Sequence, residues 1–178
     1  MRRAGLLVIV VLLATACAGA DERSAPPEEQ CDARTTVPPP DPDFYTGRAI
    51  LKGDGGSVLL DLEIAETPEQ ITQGLMYRTC VGARSGMAFI FFEEADGAFW
   101  MKNTLTPLSI AFFDRDGTIL KILDMEPCEA DPCELYDPDV SYFGALEVEQ
   151  GKFAEWQITE GDDIHIVHNE RDNLFGRD

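Results

Sequence analysis

Eight short apolar runs, each of strand length and each set off by turn-forming residues, most limit what this chain can become. They occupy residues 49–52, 57–64, 87–92, 98–102, 108–113, 119–125, 143–148 and 163–167. Alternating or continuous apolar character over so few residues marks strands rather than helices. Turn signals between them include Gly53-Asp54-Gly55-Gly56, Asp96-Gly97 and Asp114-Arg115-Asp116-Gly117, whose glycines and short polar side chains let a chain reverse without strain. So many short strands in 178 residues cannot lie in one flat sheet without exposing an apolar face. They predict a mainly β fold, a compact antiparallel barrel or a two-layer sandwich, with one or two short helices. Runs 87–92 and 108–113 are expected at the centre, with 98–102 between or beside them.

The helices announce themselves by their ends. Thr67-Pro68-Glu69-Gln70 offers an N-cap, a proline at the first helical position and a capping-box partner. That helix is predicted to run to about Met76, with Ile71 and Leu75 on one face. A shorter one is predicted over 152–157, before Gly161-Asp162 turns into the last strand. The whole reads as a single domain over residues 44–170 with a tail at 171–178.

Apolar residues make up 44% of the chain and its formal charge is −19. The first number suits a packed core. The second repels nucleic acid and anionic lipid headgroups, so nucleic acid is set aside as a partner. Ahead of the domain, Met1-Arg2-Arg3, an apolar run over 6–13 and small residues after it have the layout of an export signal over residues 1–16. The run is too short to cross a bilayer as a helix. Leu13-Ala14-Thr15-Ala16-Cys17 resembles a bacterial lipobox, with the leucine one place earlier than usual. Cys17 is therefore expected to carry a lipid and make the membrane a partner. The rest of residues 17–43, rich in proline and acids and including Pro38-Pro39-Pro40, reads as a disordered tether reaching roughly 30 Å. The expected location is outside the cytoplasm, on the outer face of the cytoplasmic membrane or in the periplasm.

Apart from Cys17 the cysteines are Cys31, Cys80, Cys128 and Cys133. An even number in an exported chain suggests disulfides. Cys128 and Cys133 enclose a short loop with a turn-forming Asp131-Pro132, which makes a local bridge plausible and would leave Cys31 with Cys80. Three pairings remain open. A zinc site competes poorly, because the four sulfurs lack paired short spacings.

Three segments resemble the bacterial and archaeal domain of unknown function 192 family. They are Gly74-Leu75-Met76-Tyr77-Arg78, Gly86-Met87-Ala88-Phe89-Ile90-Phe91, and Phe99-Trp100-Met101-Lys102-Asn103-Thr104 with Pro107-Leu108 and Ile110-Ala111-Phe112. Ala145-Leu146-Glu147-Val148, Gly151 and Gly161-Asp162 continue the pattern in order, so the likeness spans about residues 48–168. Ser109 stands where the family usually has Asp, and Phe143 and Gly144 fall at a variable place. The resemblance implies a compact β-rich domain, often exported, and no established activity.

The candidate ligand-binding residues are Tyr77, Arg78, Trp100, Lys102 and Asn103. On a strand, Phe99, Met101 and Asn103 point one way and Trp100 and Lys102 the other. The second face offers an indole platform and an ammonium, suited to a sugar or a carboxylate. The competing reading makes the segment core packing followed by a turn. In either case Lys102 is expected to reach solvent or a carboxylate, since a buried unpaired ammonium is costly. Trp100 is expected to border a groove lined by Arg78 or Tyr77. Met76, Met87, Met101 and Met125 read as core. His165 and His168, three apart on a strand, face opposite sides and do not converge on a metal. Asp114–Gly117 reads as a hairpin turn, while the loop bearing Glu134, Asp137 and Asp139 is a better place for weak calcium binding. No catalytic residue, cofactor motif or metal site is assigned. The sequence supports an envelope-anchored accessory or ligand-binding module taking a small molecule, saccharide or peptide. The alternative is a small hydrolase or carbohydrate-active enzyme with a cleft near Trp100 and Arg78.

Overall fold

A computed structural model describes residues 42–169. The signal peptide, Cys17, Cys31, the tether up to residue 41 and the whole C-terminal tail at 171–178 lie outside the described residues. The elements run β1 (Tyr45–Gly53), β2 (Gly56–Ala65), α1 (Pro68–Gln73), β3 (Ser85–Ala95), β4 (Phe99–Trp100), β5 (Leu108–Phe113), β6 (Ile119–Met125), β7 (Leu135–Tyr136), β8 (Tyr142–Glu149), α2 (Lys152–Glu155) and β9 (Asp163–His168). Seven strands form one sheet in the order β6-β5-β8-β3-β2-β1-β9, and β4 pairs with β7 in a second, small sheet.

The fold is mainly β with two short helices, but the sheet is mixed rather than wholly antiparallel. β2 and β3 run parallel, with Asp61 opposite Ser85 and Ala65 opposite Phe89. The long connection between them, carrying α1, gives the chain room to cross over instead of turning back. Nor is the sheet a closed barrel. Among the described residues, the edge strands β6 and β9 meet through a single bridge, between Thr118, just before β6, and Asp163 at the start of β9. Three backbone hydrogen bonds reinforce it: Ile119 N to Asp162 O (2.8 Å), Gly161 N to Ile119 O (2.8 Å) and Ile164 N to Gly117 O (2.7 Å).

Curling gives the sheet two buried faces. Leu51, Leu60, Ile64, Ile90, Leu146, Val148 and Ile166 meet on the inner face, with Phe153 of α2 and Ile158 closing over them. Met87, Phe89, Leu108, Ile110, Phe112 and Ala145 form the outer face, together with Leu75, Met101 and Tyr142. Every residue of β5 is buried, as befits a strand covered on both sides. The runs expected at the centre are interior strands, separated by β8. The run expected beside them, β4, belongs instead to the outer layer.

The helix α1 has the capping box read from the sequence: Thr67 Oγ1 accepts from Gln70 N, and Gln70 Oε1 accepts from Thr67 N. It stops at Gln73, short of Met76, because Gly74 takes a positive φ of 46° and ends the helical turn. At Gly144 the reason for glycine is contact: a Cβ there would fall 2.2 Å from the Phe113 ring.

Candidate functional site

Two turns clasp each other at the edge of the outer layer. One follows α1 and carries Met76, Tyr77 and Arg78. The other follows β4 and carries Lys102, Asn103 and Thr104. Tyr77 (φ 63°) and Asn103 (φ 59°) are both left-handed, a conformation that costs roughly 1 kcal/mol or more for such residues and persists where surroundings enforce it. Here each turn enforces the other. Tyr77 N donates to Asn103 O at 2.7 Å, Leu105 N to Arg78 O at 3.3 Å, and Asn103 Nδ2 to Tyr77 Oη at 3.2 Å. Behind the clasp Met101 is buried, while Phe99 stacks edge-on against Phe89 and Phe112.

Strand alternation then decides what faces out. Trp100 is 47% exposed and Met101 1%. The Lys102 ammonium sits 5.5 Å from the Trp100 ring centroid and 3.4 Å from Asp131 Oδ1, a cation–π pair with a carboxylate behind it. Lys102 thus meets both solvent and an acid, as expected from the cost of burying it alone. Asp131 belongs to the loop closed by the Cys128–Cys133 disulfide. That loop is docked through Cys128 N to Met101 O (3.4 Å) and precedes β7, whose Leu135 lies opposite Trp100. The bridge is the local one suggested by the spacing. Cys80 is also disulfide-bonded, with its partner outside the described residues.

Arg78 is turned elsewhere. Its guanidinium lies 3.1 Å from Glu63 Oε1 and lines a cavity of about 1020 Å³ with Glu63, Cys80, Ser85 and Glu149. Neither Trp100 nor Lys102 lines that cavity. The structure therefore joins Tyr77 to Asn103 and Trp100 to Lys102, and separates Arg78 from the indole.

Other sequence candidates settle into structural places. Met87, Met101 and Met125 are core. His168 is buried against Tyr45, with ring centroids 5.2 Å apart, and His165 lies on the other face of β9. Asp114 Oδ1 accepts from Asp116 N and Thr118 N, both at 2.9 Å, so this acid is spent on its own hairpin turn. Cys128, Asp131 and Cys133 cluster within metal-binding reach, but the two sulfurs are joined to each other and hold no thiolate for a metal.

Two features escaped the sequence reading. Glu147 is 4% exposed, opposite Met87 on β3 and Ile110 on β5. Burial alone pushes its carboxyl up to about 8, so it is largely protonated at neutral pH. Its signal was an acid at an apolar position of a central strand. The second is Ser109, whose hydroxyl donates to Asp124 Oδ1 on the facing strand and accepts from Gly151 N at 2.8 Å. The cross-strand register alone would have found that pair.

The model of the domain of unknown function 192 family (DUF192), described as Uncharacterized ACR, matches residues 49–166. Among solved structures, the chain is similar to a Sinorhizobium meliloti 1021 protein provisionally described as a transcription regulator. The two are 31% identical with a TM-score of 0.65, over 69% of this chain and 95% of that one. A Novosphingobium aromaticivorans DSM 12444 protein of unknown function is 26% identical with a TM-score of 0.64, over 75% and 94%. No curated protein matches. With a family model spanning nearly all of the folded part, and the Trp100–Thr104 segment placed in one ordered clasp, the chain belongs to the domain of unknown function 192 family.

Proposed function

We propose that this protein is an envelope-anchored, non-catalytic module that binds a small ligand on the Trp100 platform, a saccharide before a peptide. The observation that carries the reading is the half-exposed indole of Trp100, held on a strand that the Tyr77–Asn103 clasp fixes from behind. An aromatic face next to an ammonium and a carboxylate is the usual apparatus for stacking on a sugar ring while hydrogen-bonding its hydroxyls. The anchor rests on the sequence around Cys17, and nucleic acid is set aside by the charge of −19. The hydrolase alternative needs a cleft between Trp100 and Arg78, and Arg78 lines its cavity without Trp100.

The test uses the full chain with Trp156 replaced by Phe, so that fluorescence reports Trp100. Oligosaccharides and short peptides are titrated in turn. A saturable change in emission, lost in Trp100→Ala while that variant stays folded, is the expected result. An unresponsive indole, or a Trp100→Ala variant that unfolds, would overturn the platform. For the anchor, Cys17→Ser expressed in the host should leave the membrane fraction, and retention there would remove the lipid from the account.

A further inference from the structure

The inner face has its own opening, away from Trp100. Between β6 and the segment that carries α2 and residues 158–160 lies a cleft of about 510 Å³. Its walls are Ile122 of β6, Phe153 and Ala154 of α2, and Ile158, with Ser109, Asp124, Gly151, Thr159 and Glu160 completing it. This lies within the size range of small-molecule sites, and the mix of apolar wall and a few polar groups is also theirs.

Both acids are held in place. Asp124 Oδ1 accepts from Ser109 Oγ, and Ser109 is itself 1% exposed and anchored to Gly151 N at 2.8 Å. Glu160 Oε1 accepts from Ile122 N at 3.3 Å and faces Lys121 Nζ at 3.4 Å. Among the described residues, no lysine, arginine or histidine lines the cleft. Lys121 engages one oxygen of Glu160, while the second oxygen of Asp124 has no hydrogen bond among the described residues. An apolar neutral molecule would desolvate these carboxylates without compensation, and an anion would be repelled. A molecule with one ammonium or guanidinium on a short apolar stem satisfies both parts of the cleft. The overall charge of −19 raises the local concentration of such a cation.

We infer that the cleft between β6 and α2 is a binding site for a small organic cation, its charged head on Asp124 and Glu160 and its apolar stem against Ile122, Phe153 and Ile158.

The full chain, labelled at its isoleucine and alanine methyls, is titrated with benzylammonium and with the shape-matched neutral benzyl alcohol and anionic phenylacetate. Saturable shifts at Ile122, Ala154 and Ile158 with benzylammonium are expected, with no change in Trp100 emission. The other two probes should bind about tenfold more weakly, the value of a charge-assisted hydrogen bond. Asp124→Asn should bring benzylammonium down to the level of benzyl alcohol. Should that change disturb the Ser109 anchor and the fold, Ala154→Phe fills the cleft from the exposed side of α2 and should abolish the shifts. Equal binding of the three probes, shifts that map elsewhere, no saturation, or undiminished binding by Ala154→Phe would each overturn the site.

Discussion

On the inner face of the sheet, Leu51, Leu60, Ile64, Leu146 and Ile166 are buried by strand alternation and curl. On the outer face, Met87, Phe89 and Phe112 are buried by something else: the three long connections that carry α1, β4 and β7 over them. The inner cluster is mostly aliphatic, and the outer is built from methionines and interlocking rings, with Phe112 against Tyr142 at 4.8 Å and Phe99 at 5.5 Å. A layer made of connections depends on contacts between residues distant in sequence, so it can loosen without the sheet coming apart. That is the layer carrying Trp100, so the proposed platform sits on connections rather than on the sheet.

The strongest way to break this comparison is to remove a large buried side chain on each side of it. Phe112→Ala empties the centre of the outer cluster and should cost about 3–5 kcal/mol, while Leu146→Ala on the inner face should cost about 2–5 kcal/mol. The informative difference is the order of events. In Phe112→Ala, Trp100 emission should shift red at lower denaturant than the far-ultraviolet signal falls. In Leu146→Ala the two should move together. Coincident transitions in both variants would mean that the faces form one cooperative unit.

Glu147 sharpens the contrast, because its position on β8 buries an acid at the outer face. In the unfolded chain it titrates near its ordinary 4.5, and in the fold burial pushes it up to about 8. Between those values the folded state holds a proton that the unfolded state has released. Stability therefore falls as pH rises through this window, and the loss is complete above about pH 8. Because glutamine does not titrate, Glu147→Gln should be less stable than wild type by about 2 kcal/mol near pH 4.5, where a buried amide still lacks partners, and more stable by about 2–3 kcal/mol at pH 9. The two differences together span the roughly 5 kcal/mol of the full shift. Denaturant melts across this range measure the difference directly. A variant less stable than wild type at high pH would show that the carboxylate, rather than the acid, belongs in the fold.

What the sequence made legible follows the same division. The period-two runs located β1, β2, β3, β5, β6, β8 and β9 because local alternation is enough to bury one face. They did not reveal the parallel pairing of β2 with β3, which depends on where a long connection returns. Nor could they place β7, only Leu135–Tyr136, whose strand character comes from β4 beside it. At the site, alternation correctly turned Trp100 outward and Met101 inward. The left-handed Tyr77 and Asn103 were not readable, because each is held there by the other across 26 residues of chain. The parting of Arg78 from Trp100 was hidden for the same reason: Glu63, which draws the guanidinium away, is a neighbour only in the fold.

The disulfide tests whether the cover is held by covalent or by packing forces. Closing a loop as short as 128–133 removes little chain entropy, so replacing both Cys128 and Cys133 by Ser should cost about 2 kcal/mol. The loop also supplies Asp131 to Lys102 and docks on Met101. Its release should therefore raise amide hydrogen exchange at residues 100–104 and 126–136 and leave β1, β2 and β9 unchanged. Non-reducing peptide mapping should recover the Cys128–Cys133 pair, and a link from Cys128 to any other cysteine would contradict the structure.

Lys102 should show the smallest effect on stability and the most telling one on the platform. Its side chain is 40% exposed and that of Asp131 74%, and an ion pair so open to water is worth about 0–1 kcal/mol. Lys102→Gln should therefore leave the denaturation midpoint nearly unchanged. The same substitution removes the cation 5.5 Å from the Trp100 ring, so the emission of a Trp156→Phe protein should change in wavelength or yield. Affinity for whatever stacks on Trp100 should change with it, because the ammonium is one of the few polar groups beside the ring. If stability falls by several kcal/mol and emission stays fixed, Lys102 holds the outer layer together and the indole has no working partner in it. If stability holds while emission and affinity both move, the ammonium works as part of the stacking surface rather than as a brace for the outer layer.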